Sequence, residues 1–472
     1  MRNPLCFGAL ALALLLSGPS QADVPQAMPA HEALPEGWTA TWLEEPVFNG
    51  RLRLVEAGPG DAPPVLLVHG LGENGWRDWR EVIPELAADY RVLAIDLPGF
   101  GASSTVSREV PLSPASYSRL LSWLRAELEL DELHLVGHSM GGAVALYHAA
   151  DQPEGLASLT LVDVAGILQR TAFVRESVMA EYSDVWLPGR LGDHARRLIN
   201  WGGSIVERLG MLPDFTEALR RSDAAWAAVL GDRANANAAL SLIDTDFTDP
   251  IARLGMPVSI IWGDRDPIAP LRTGHLLEGR LATARLRVIE GAAHVPMQTH
   301  TDEFMAALNQ ALRSPPKTGR TLRAPAGEVT RDYVCRNERG GRISGDFRHV
   351  VIENCTDVHL FDVSARSVDI EGAIVRMTHV RVTAGEGPAL KARGATVNAT
   401  HVRLEGAPAV HVSDSRLDIA GGTLHARDAA LRVGAPSIVI LSVSEMRSAR
   451  YSGGLHSAVR AENVVLDENF SR

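Results

Sequence analysis

Ser139 stands in a short run of residues whose types and spacing suit nucleophilic catalysis. The run Gly137-His138-Ser139-Met140-Gly141 follows the apolar stretch Leu133–Val136 and precedes the helix-like stretch Gly142–Ala150. A G-x-S-x-G pattern between a strand and a helix predicts a turn so tight that glycine is needed on both sides of the serine. The N-terminus of the following helix would favour negative charge that develops at the serine. We therefore predict that Ser139 is a nucleophile.

A serine nucleophile needs a base and an acid, and the chain offers both after later strands. His294 lies in a loop that follows the predicted strand Leu286–Ile289. It can take the proton of a serine hydroxyl, which is a poor nucleophile near neutral pH. The imidazole in turn needs an acid to fix its tautomer and to stabilise the imidazolium. Asp264 and Asp266 both follow the predicted strand Val258–Trp262 and are the candidates.

These motifs resemble the α/β-hydrolase family over about residues 51–313. The family places its residues in the order Ser, Asp, His, and its Gly-x-x-Asp pattern selects Asp266 over Asp264, which is then a turn-forming residue. The resemblance implies a catalytic triad of Ser139, Asp266 and His294. Dehalogenase and epoxide-hydrolase relatives carry Asp at the nucleophile position, so a serine there leaves transfer of an acyl group to water. Carbon–carbon hydrolases and cofactor-free perhydrolases are relatives that keep the same triad.

Two further motifs match the family. His69-Gly70-Leu71-Gly72 resembles its oxyanion loop, which implies that the backbone N–H groups of Leu71 and Met140 hold the oxyanion. The run Asp96–Gly101 also matches, and we interpret it as a tight turn in which Asp96 accepts nearby N–H groups. No metal-ligand cluster, Walker loop or dinucleotide fingerprint is evident, so we expect no cofactor and no metal.

Alternating strands and helices would position these residues. Short apolar runs separated by amphipathic stretches such as Tyr117–Glu129 predict a doubly wound, mostly parallel sheet with helices on both faces. The predicted strands are Pro64–Val68, Tyr90–Ile95, Leu133–Val136, Leu159–Val164, Val258–Trp262 and Leu286–Ile289. Residues 168–244 contain helix-like runs but no strand-like runs, which predicts an inserted helical cap over the strand ends. Trp186, Trp201 and Trp226 of this cap could line a substrate pocket or pack the cap on itself.

The first 22 residues have the pattern of a signal peptide. Arg2 is followed by the apolar run Leu5–Leu16 and by Ser20-Gln21-Ala22, which predicts cleavage before Asp23. The run is short for a transmembrane helix, although an uncleaved anchor is the alternative. We expect an exported protein, periplasmic or secreted, with the hydrolase domain at residues 23–313.

A different kind of domain is predicted after the Pro-rich linker at residues 314–330. Beyond Arg331 short Val/Ile/Leu alternations are separated by Gly, Asp, Asn and Ser, and Thr378–Arg381 recurs as Thr400–Arg403. A period of about 21 residues lies in the range of solenoids. We predict a right-handed parallel β-helix-like domain at residues 331–472, with a β-sandwich as the alternative. The repeats also match Ala389-Leu390 with Ala409-Val410 and Ala430-Leu431, and Thr396-Val397 with Arg416-Leu417 and Ser437-Ile438.

Cys335 and Cys355 are the two cysteines left after signal-peptide removal. In an oxidising compartment they most simply form one disulfide, and their spacing of about one coil would bring them together. A pair of inert buried thiols is the alternative.

Composition narrows the function. The net charge of −11 disfavours nucleic acid and anionic lipid as partners. We predict a carboxylic ester hydrolase that acts on a small acyl substrate through an acyl-enzyme. The alternatives are a carbon–carbon hydrolase, or a scaffold protein whose hydrolase domain is inactive. The solenoid could hold an extended or surface polymer, and His379/His401 and Arg381/Arg403 could form a ladder on it, although such positions are usually solvated.

Overall fold

The structure is a computed structural model. It describes residues 34–103, 110–168, 233–325, 328–434, 436–448, 459–461 and 464–466. The predicted signal peptide, and Trp186, Trp201 and Trp226 of the predicted cap, lie outside the described residues.

The first part of the chain forms an eight-stranded mixed sheet in the order β1-β2-β4-β3-β5-β6-β7-β8. Strands β1, β2 and β4 pair antiparallel and all the other neighbours pair parallel. The bounds are β1 Thr39–Glu45, β2 Gly50–Ala57, β3 Pro64–Val68, β4 Arg91–Asp96, β5 Leu133–His138, β6 Leu156–Val162, β7 Val258–Gly263 and β8 Ala284–Ile289.

Helices cover both faces of this sheet. Along β3, Leu66 and Val68 belong to one hydrophobic cluster, whereas Val65 and Leu67 belong to another on the opposite face. A strand that is buried on both faces reads as a continuous apolar run, which is why it could be predicted. The helices are α1 Ile83–Leu86, α2 Pro114–Glu127, α3 Met140–Asp151, α4 Ala234–Ile243, α5 Thr248–Arg253, α6 Arg272–Arg280, α7 Pro296–Thr299 and α8 Thr301–Arg313. None of the described helices is long and apolar enough to cross a membrane.

The hairpin β1–β2 was not among the predicted strands. Its turn is held by Glu45, whose buried carboxylate accepts the backbone N–H groups of Val47, Phe48 and Gly50. Asn49 adopts a left-handed backbone with φ 53°, a conformation that asparagine tolerates. The Asn49-Gly50 pair was therefore the available sequence signal.

The second part is a β-solenoid of parallel strands, which confirms the predicted β-helix-like class and rules out the sandwich. Its strands belong to one 14-stranded sheet among the described residues, and successive coils stack residue on residue. Leu390 pairs with Val410, which pairs with Leu431, as the repeat predicted. The strands are β9 Tyr333–Arg336, β10 Arg342–Glu353, β11 Val358–Glu371, β12 Ile374–Thr383, β13 Leu390–Arg393, β14 Thr396–Gly406, β15 Val410–Ser413, β16 Arg416–Ala420, β17 Thr423–Ala426, β18 Leu431–Gly434, β19 Ile438–Ser442, β20 Ser444–Ser448, β21 Val459–Ala461 and β22 Val464–Leu466.

One repeat match was wrong by one residue. Arg416 pairs with Ile438 and Leu417 pairs with Val439, so Ser437 precedes the strand instead of opening it. The hydroxyl of Ser437 accepts the N–H of Ser415 and donates to the carbonyl of Gly434, so it stabilises the turn before β19.

One corner of the solenoid is built from residues with left-handed backbone, one in each coil. We call the set Asp362, His379, His401, Gly421 and Val443 the corner column; their φ angles lie between 45° and 69°. Asp, His and Gly adopt this conformation more readily than other residues do. Long strands such as β11, β12 and β14 can therefore bend there and continue along the next face of the solenoid.

The corner column packs against helix α6. Ala420, Ile440 and Val443 of the solenoid belong to the same hydrophobic cluster as Leu276 and the central sheet. His379 is fully buried and His401 is 8 % exposed, so the expectation that these positions are solvated was wrong. They are buried because α6 covers the corner on which they stand.

Polar contacts reinforce this packing. The guanidinium of Arg272 donates to Asp418, which is fully buried, and to the carbonyl of Ala399. Arg320 lies in the predicted linker and pairs with both Glu278 of α6 and Asp362 of the corner column. The hydrolase part and the solenoid are thus joined by a buried interface.

Cys335 and Cys355 form a disulfide across adjacent coils, with their Cα atoms 6.3 Å apart. Both residues are buried in the solenoid core. They lie near the N-terminal end of the described solenoid, where β9 pairs with β10.

Candidate active site

Ser139 occupies the turn between β5 and α3 with φ 52° and ψ −117°. This is a strained backbone for a residue with a side chain, and such strain is common at functional sites. The two flanking glycines are required by close approach of the backbone. A Cβ on Gly137 would lie 2.3 Å from the Gly141 carbonyl oxygen, and one on Gly141 would lie 2.3 Å from that of Val68. The predicted tight turn is therefore present.

The three residues of the predicted triad form one hydrogen-bonded chain. Nε2 of His294 lies 3.0 Å from Oγ of Ser139, and Nδ1 of His294 lies 2.7 Å from Oδ2 of Asp266. Ser139 lies 155 residues before His294 in the sequence, whereas Asp266 lies only 28 residues before it. The ends of β5, β7 and β8 bring the three residues together. With Nδ1–H donating to the carboxylate, Nε2 is free to take the serine proton.

Asp266 is fixed through both of its oxygens. Oδ1 accepts the N–H groups of Ile268 and Ala269 at 2.8 and 2.9 Å, while Oδ2 faces His294. Asp264 is exposed and accepts the N–H of Gly291. The structure thus separates the two candidates as the family pattern did, with Asp264 holding a turn.

Sequence reasoning missed Asp163, a buried carboxyl group beside Asp266. It follows β6 and its Oδ1 accepts the N–H of Gly263 at 2.9 Å. Burial raises the pKa of Asp163 well above its usual range, and the neighbouring charge of Asp266 raises it further. Both causes therefore favour the protonated form of Asp163 over the ionised form. An aspartate inside the apolar run that was predicted as the strand Leu159–Val164 was the signal that could have found it.

Two other histidines in this region have structural contacts. Nε2–H of His138 donates to the carbonyl of His294 at 2.7 Å, which anchors the loop that carries the base. His69 donates from Nδ1–H to the carbonyl of Gly70 and accepts the N–H of Leu97 at Nε2. Burial lowers the pKa of both imidazoles, so each is neutral near pH 7.

The predicted oxyanion residues border Ser139. Met140 is the first residue of α3, and its N–H has no acceptor within the helix because of its terminal place. The loop that carries Leu71 passes close to the serine, since a Cβ on Gly70 would lie 2.9 Å from Cβ of Ser139. Both backbone N–H groups therefore belong to segments that meet at the nucleophile.

Asp96 has the structural role that was predicted for it. Its carboxylate accepts the N–H groups of Trp76 and Ala102 at 2.7 and 2.8 Å. Tyr117 donates to the carbonyl of Pro98. These bonds fix the turn after β4 next to the loop that carries Leu71.

Comparison with known proteins places this geometry in a family. The model of the alpha/beta hydrolase fold family matches residues 63–301. A pimeloyl-[acyl-carrier protein] methyl ester esterase from Aeromonas hydrophila is 30 % identical over 257 residues, covering 52 % of this chain and 94 % of that protein. A 2-hydroxy-6-oxononadienedioate/2-hydroxy-6-oxononatrienedioate hydrolase from a Pseudomonas species is 28 % identical over 299 residues, covering 58 % and 96 %.

Matches among solved structures include a membrane phospholipase A described as a bacterial virulence factor. It is 20 % identical with a TM-score of 0.41, covering 66 % of this chain and 93 % of that chain. A hydrolase from Pseudomonas aeruginosa is 21 % identical with a TM-score of 0.43, covering 58 % and 98 %. The family model spans half of the sequence and falls on the sheet that carries Ser139, Asp266 and His294. The chain therefore belongs to the alpha/beta hydrolase fold family, and it is a hydrolase.

Proposed function

We propose that this hydrolase cleaves carboxylic esters or related acyl bonds through a covalent acyl-enzyme on Ser139. The observation that carries the proposal is the hydrogen-bonded chain from Ser139 through His294 to Asp266. His294 takes the serine proton as Oγ attacks the acyl carbon, and it returns the proton to the leaving group. Water then attacks the acyl-enzyme, and the same imidazole acts as base and then as acid.

The backbone N–H groups of Leu71 and Met140 are proposed to hold the negative oxygen of each tetrahedral intermediate. Removing one donor of this kind typically costs about 3 kcal/mol in the barrier. Because each contributes only its backbone, replacing the side chain of Leu71 should leave this contribution in place. The substrate is a small molecule.

Export is a further part of the proposal. It is supported by the signal-like pattern of residues 1–22 and by the disulfide between Cys335 and Cys355, since disulfides persist in oxidising compartments. The test is the intact mass of chain recovered from the periplasmic and culture fractions. A mature N-terminus at Asp23 is expected, and an uncleaved chain held in the membrane fraction would refute it.

The test of the reaction is hydrolysis of a p-nitrophenyl ester series, from acetate to long-chain acyl, by wild type and by Ser139→Ala. Turnover by wild type alone supports the proposal, and the chain-length profile measures the acyl pocket. The relative that is 28 % identical is named a 2-hydroxy-6-oxononadienedioate/2-hydroxy-6-oxononatrienedioate hydrolase, so 2-hydroxy-6-oxononadienedioate is the second substrate to test. Consumption of that compound but of no ester would favour the carbon–carbon hydrolase.

The last part of the proposal is an extended polymer bound along the solenoid, for which the long faces of such folds argue. Co-sedimentation with insoluble cell-wall polysaccharide tests it. Wild type left wholly in the supernatant would remove the polymer from the account.

A further inference from the structure

Three side chains from distant parts of the sequence converge where α6 meets the corner column. His275 and Glu278 are three residues apart on α6 and therefore share one face of the helix. His379 reaches them from the corner column. Nε2 of His379 lies 3.0 Å from Nδ1 of His275 and 3.6 Å from Oε2 of Glu278.

We propose that His275, Glu278 and His379 form a binding site for a divalent transition-metal ion, with Zn²⁺ the best fit, which joins helix α6 to the solenoid. This site lies apart from Ser139 and goes beyond the proposed hydrolytic function. The three ligand atoms all lie within 4.8 Å of one another.

The two distances from His379 match a tetrahedral zinc site. Zinc binds imidazole nitrogen and carboxylate oxygen at roughly 2.0–2.2 Å, which places neighbouring ligand atoms about 3.3 Å apart. The observed separations of 3.0 and 3.6 Å lie on either side of that value. Two imidazoles and one carboxylate leave a fourth position for water.

His401 supplies the outer contact that such a site needs. Its Nδ1 lies 2.8 Å from Nδ1 of His379. When Nδ1–H of His379 donates to His401, the lone pair of His379 Nε2 points at the metal position. An outer hydrogen bond of this kind fixes the tautomer of most metal-bound histidines.

The charges around the site are mixed, because Arg320 and Arg342 are positive whereas Glu278 and Asp362 are negative. Burial raises the pKa of Glu278, whose carboxylate the metal would stabilise. Burial lowers the pKa of His275 and of His401 to about 4 and lowers that of His379 further, so the imidazoles are neutral as metal binding requires. Arg320 lies 3.5 Å from Glu278 and would be displaced by the metal. It keeps its two-fold contact with Asp362 at 2.5 and 2.6 Å.

The backbone is shaped to let these groups meet. A Cβ on Gly279 would lie 2.1 Å from Cγ of His401, so any larger residue would hold α6 away from the corner. Gly279 therefore allows His275 and Glu278 to approach His379.

The test is metal binding by the tag-free full chain after removal of bound metal with a chelator. Isothermal titration with Zn²⁺ should give one tight site per chain, and Co²⁺ should give the intense visible absorption of a tetrahedral complex. His379→Asn and Glu278→Gln should weaken Zn²⁺ binding by about 100-fold or more, since even outer-shell changes typically cost roughly 10–100-fold. His401→Asn should weaken Zn²⁺ binding by roughly 10–100-fold, because His401 is an outer-shell residue.

The matched control is His349→Asn, which removes an exposed histidine of the same solenoid and should leave Zn²⁺ binding unchanged. Glu278→Gln changes the shape of the side chain little, so it keeps the test valid if His379→Asn fails to fold. Zn²⁺ should also raise the Tm of wild type but not of Glu278→Gln. A wild-type chain without a one-to-one site, or equal affinity in wild type, His379→Asn and Glu278→Gln, would overturn the proposal.

Discussion

Asp266 is held by four groups, and each restricts what its carboxylate can do. Ile268 and Ala269 donate to one oxygen, His294 contacts the other, and the carboxyl group of Asp163, whose pKa is raised by burial, lies alongside. A carboxylate with both oxygens fixed presents a single orientation to the imidazole. This preorganisation spares the enzyme reorientation during the reaction.

Asp266→Asn should lower kcat/KM for the best ester roughly 10⁴-fold, because an amide no longer selects the productive tautomer of His294. Asp264→Asn is the matched control two residues away. It should stay within a few-fold of wild type, since the carboxylate of Asp264 accepts the turn N–H of Gly291 and does not contact His294. Steady-state kinetics of both variants decide the matter, and equal losses would contradict the assignment of Asp266.

The pH dependence of the stability of Asp163→Asn tests whether the pKa of Asp163 is raised in the folded protein. A raised pKa in the folded state means that the native chain holds a proton which the unfolded chain releases above about pH 4. The wild-type free energy of unfolding therefore carries a component that falls as pH rises from 4 towards neutrality. The Tm of Asp163→Asn relative to wild type should increase over that range. A constant difference would show that Asp163 is ionised in the folded protein.

Much of the site was predictable because each member follows a recognisable strand. Ser139, His294 and Asp266 each stand just after an apolar run, in the order that the family uses. Asp163 has the same position after β6 but no glycine pattern marks it. The proposed metal site could not be predicted from the sequence. A histidine and a glutamate three residues apart are not specific for metal binding, and the third ligand, His379, lies about a hundred residues away in the solenoid.

Helix α6 links two kinds of structure. It begins shortly after Asp266, and its residue Leu276 lies in the cluster that holds Ala420, Ile440 and Val443. The periodicity of the repeats predicted the coils but not which corner α6 covers. The packing of α6 depends on the shape of the solenoid surface, and the repeat pattern does not specify that shape. The left-handed backbone of His379 and His401 allows the strands to bend at this corner, and the packing of α6 accounts for the burial of both side chains.

Gly279→Ala should destabilise the protein by about 1–3 kcal/mol, as overpacking typically does. The sign of this change in the free energy of unfolding distinguishes the two situations. At an exposed helix position, replacing glycine by alanine would instead add about 1 kcal/mol of stability. Gly255→Ala, whose Cβ would meet nothing within 4 Å, is the control. Denaturant melts of both variants measure the effect, and a stabilised Gly279→Ala would mean that α6 does not press on His401.

The hydrolase part and the solenoid share one buried interface, so we expect them to unfold together. Their shared hydrophobic cluster and the buried pair Arg272–Asp418 make independent opening costly. Family resemblance could not predict this union, because the matched region ends at residue 301 and leaves the solenoid outside it.

Arg272→Ala should uncouple the two parts. It leaves the buried carboxylate of Asp418 without its guanidinium, which typically costs about 3–5 kcal/mol. All nine tryptophans precede the solenoid, so tryptophan fluorescence reports the hydrolase part while far-UV circular dichroism reports both. The two melting curves should coincide in wild type and separate in Arg272→Ala. Separate curves already in wild type would contradict a shared folding unit.

The most direct test of the whole account is covalent labelling of the full chain with a fluorophosphonate, followed by intact mass and peptide mapping. A serine activated by His294 and Asp266 should give one adduct per chain, on Ser139, and Ser139→Ala should give none. Absence of an adduct in wild type, or an adduct on another residue, would contradict Ser139 as the nucleophile of an active hydrolase and would leave the inactive scaffold in its place.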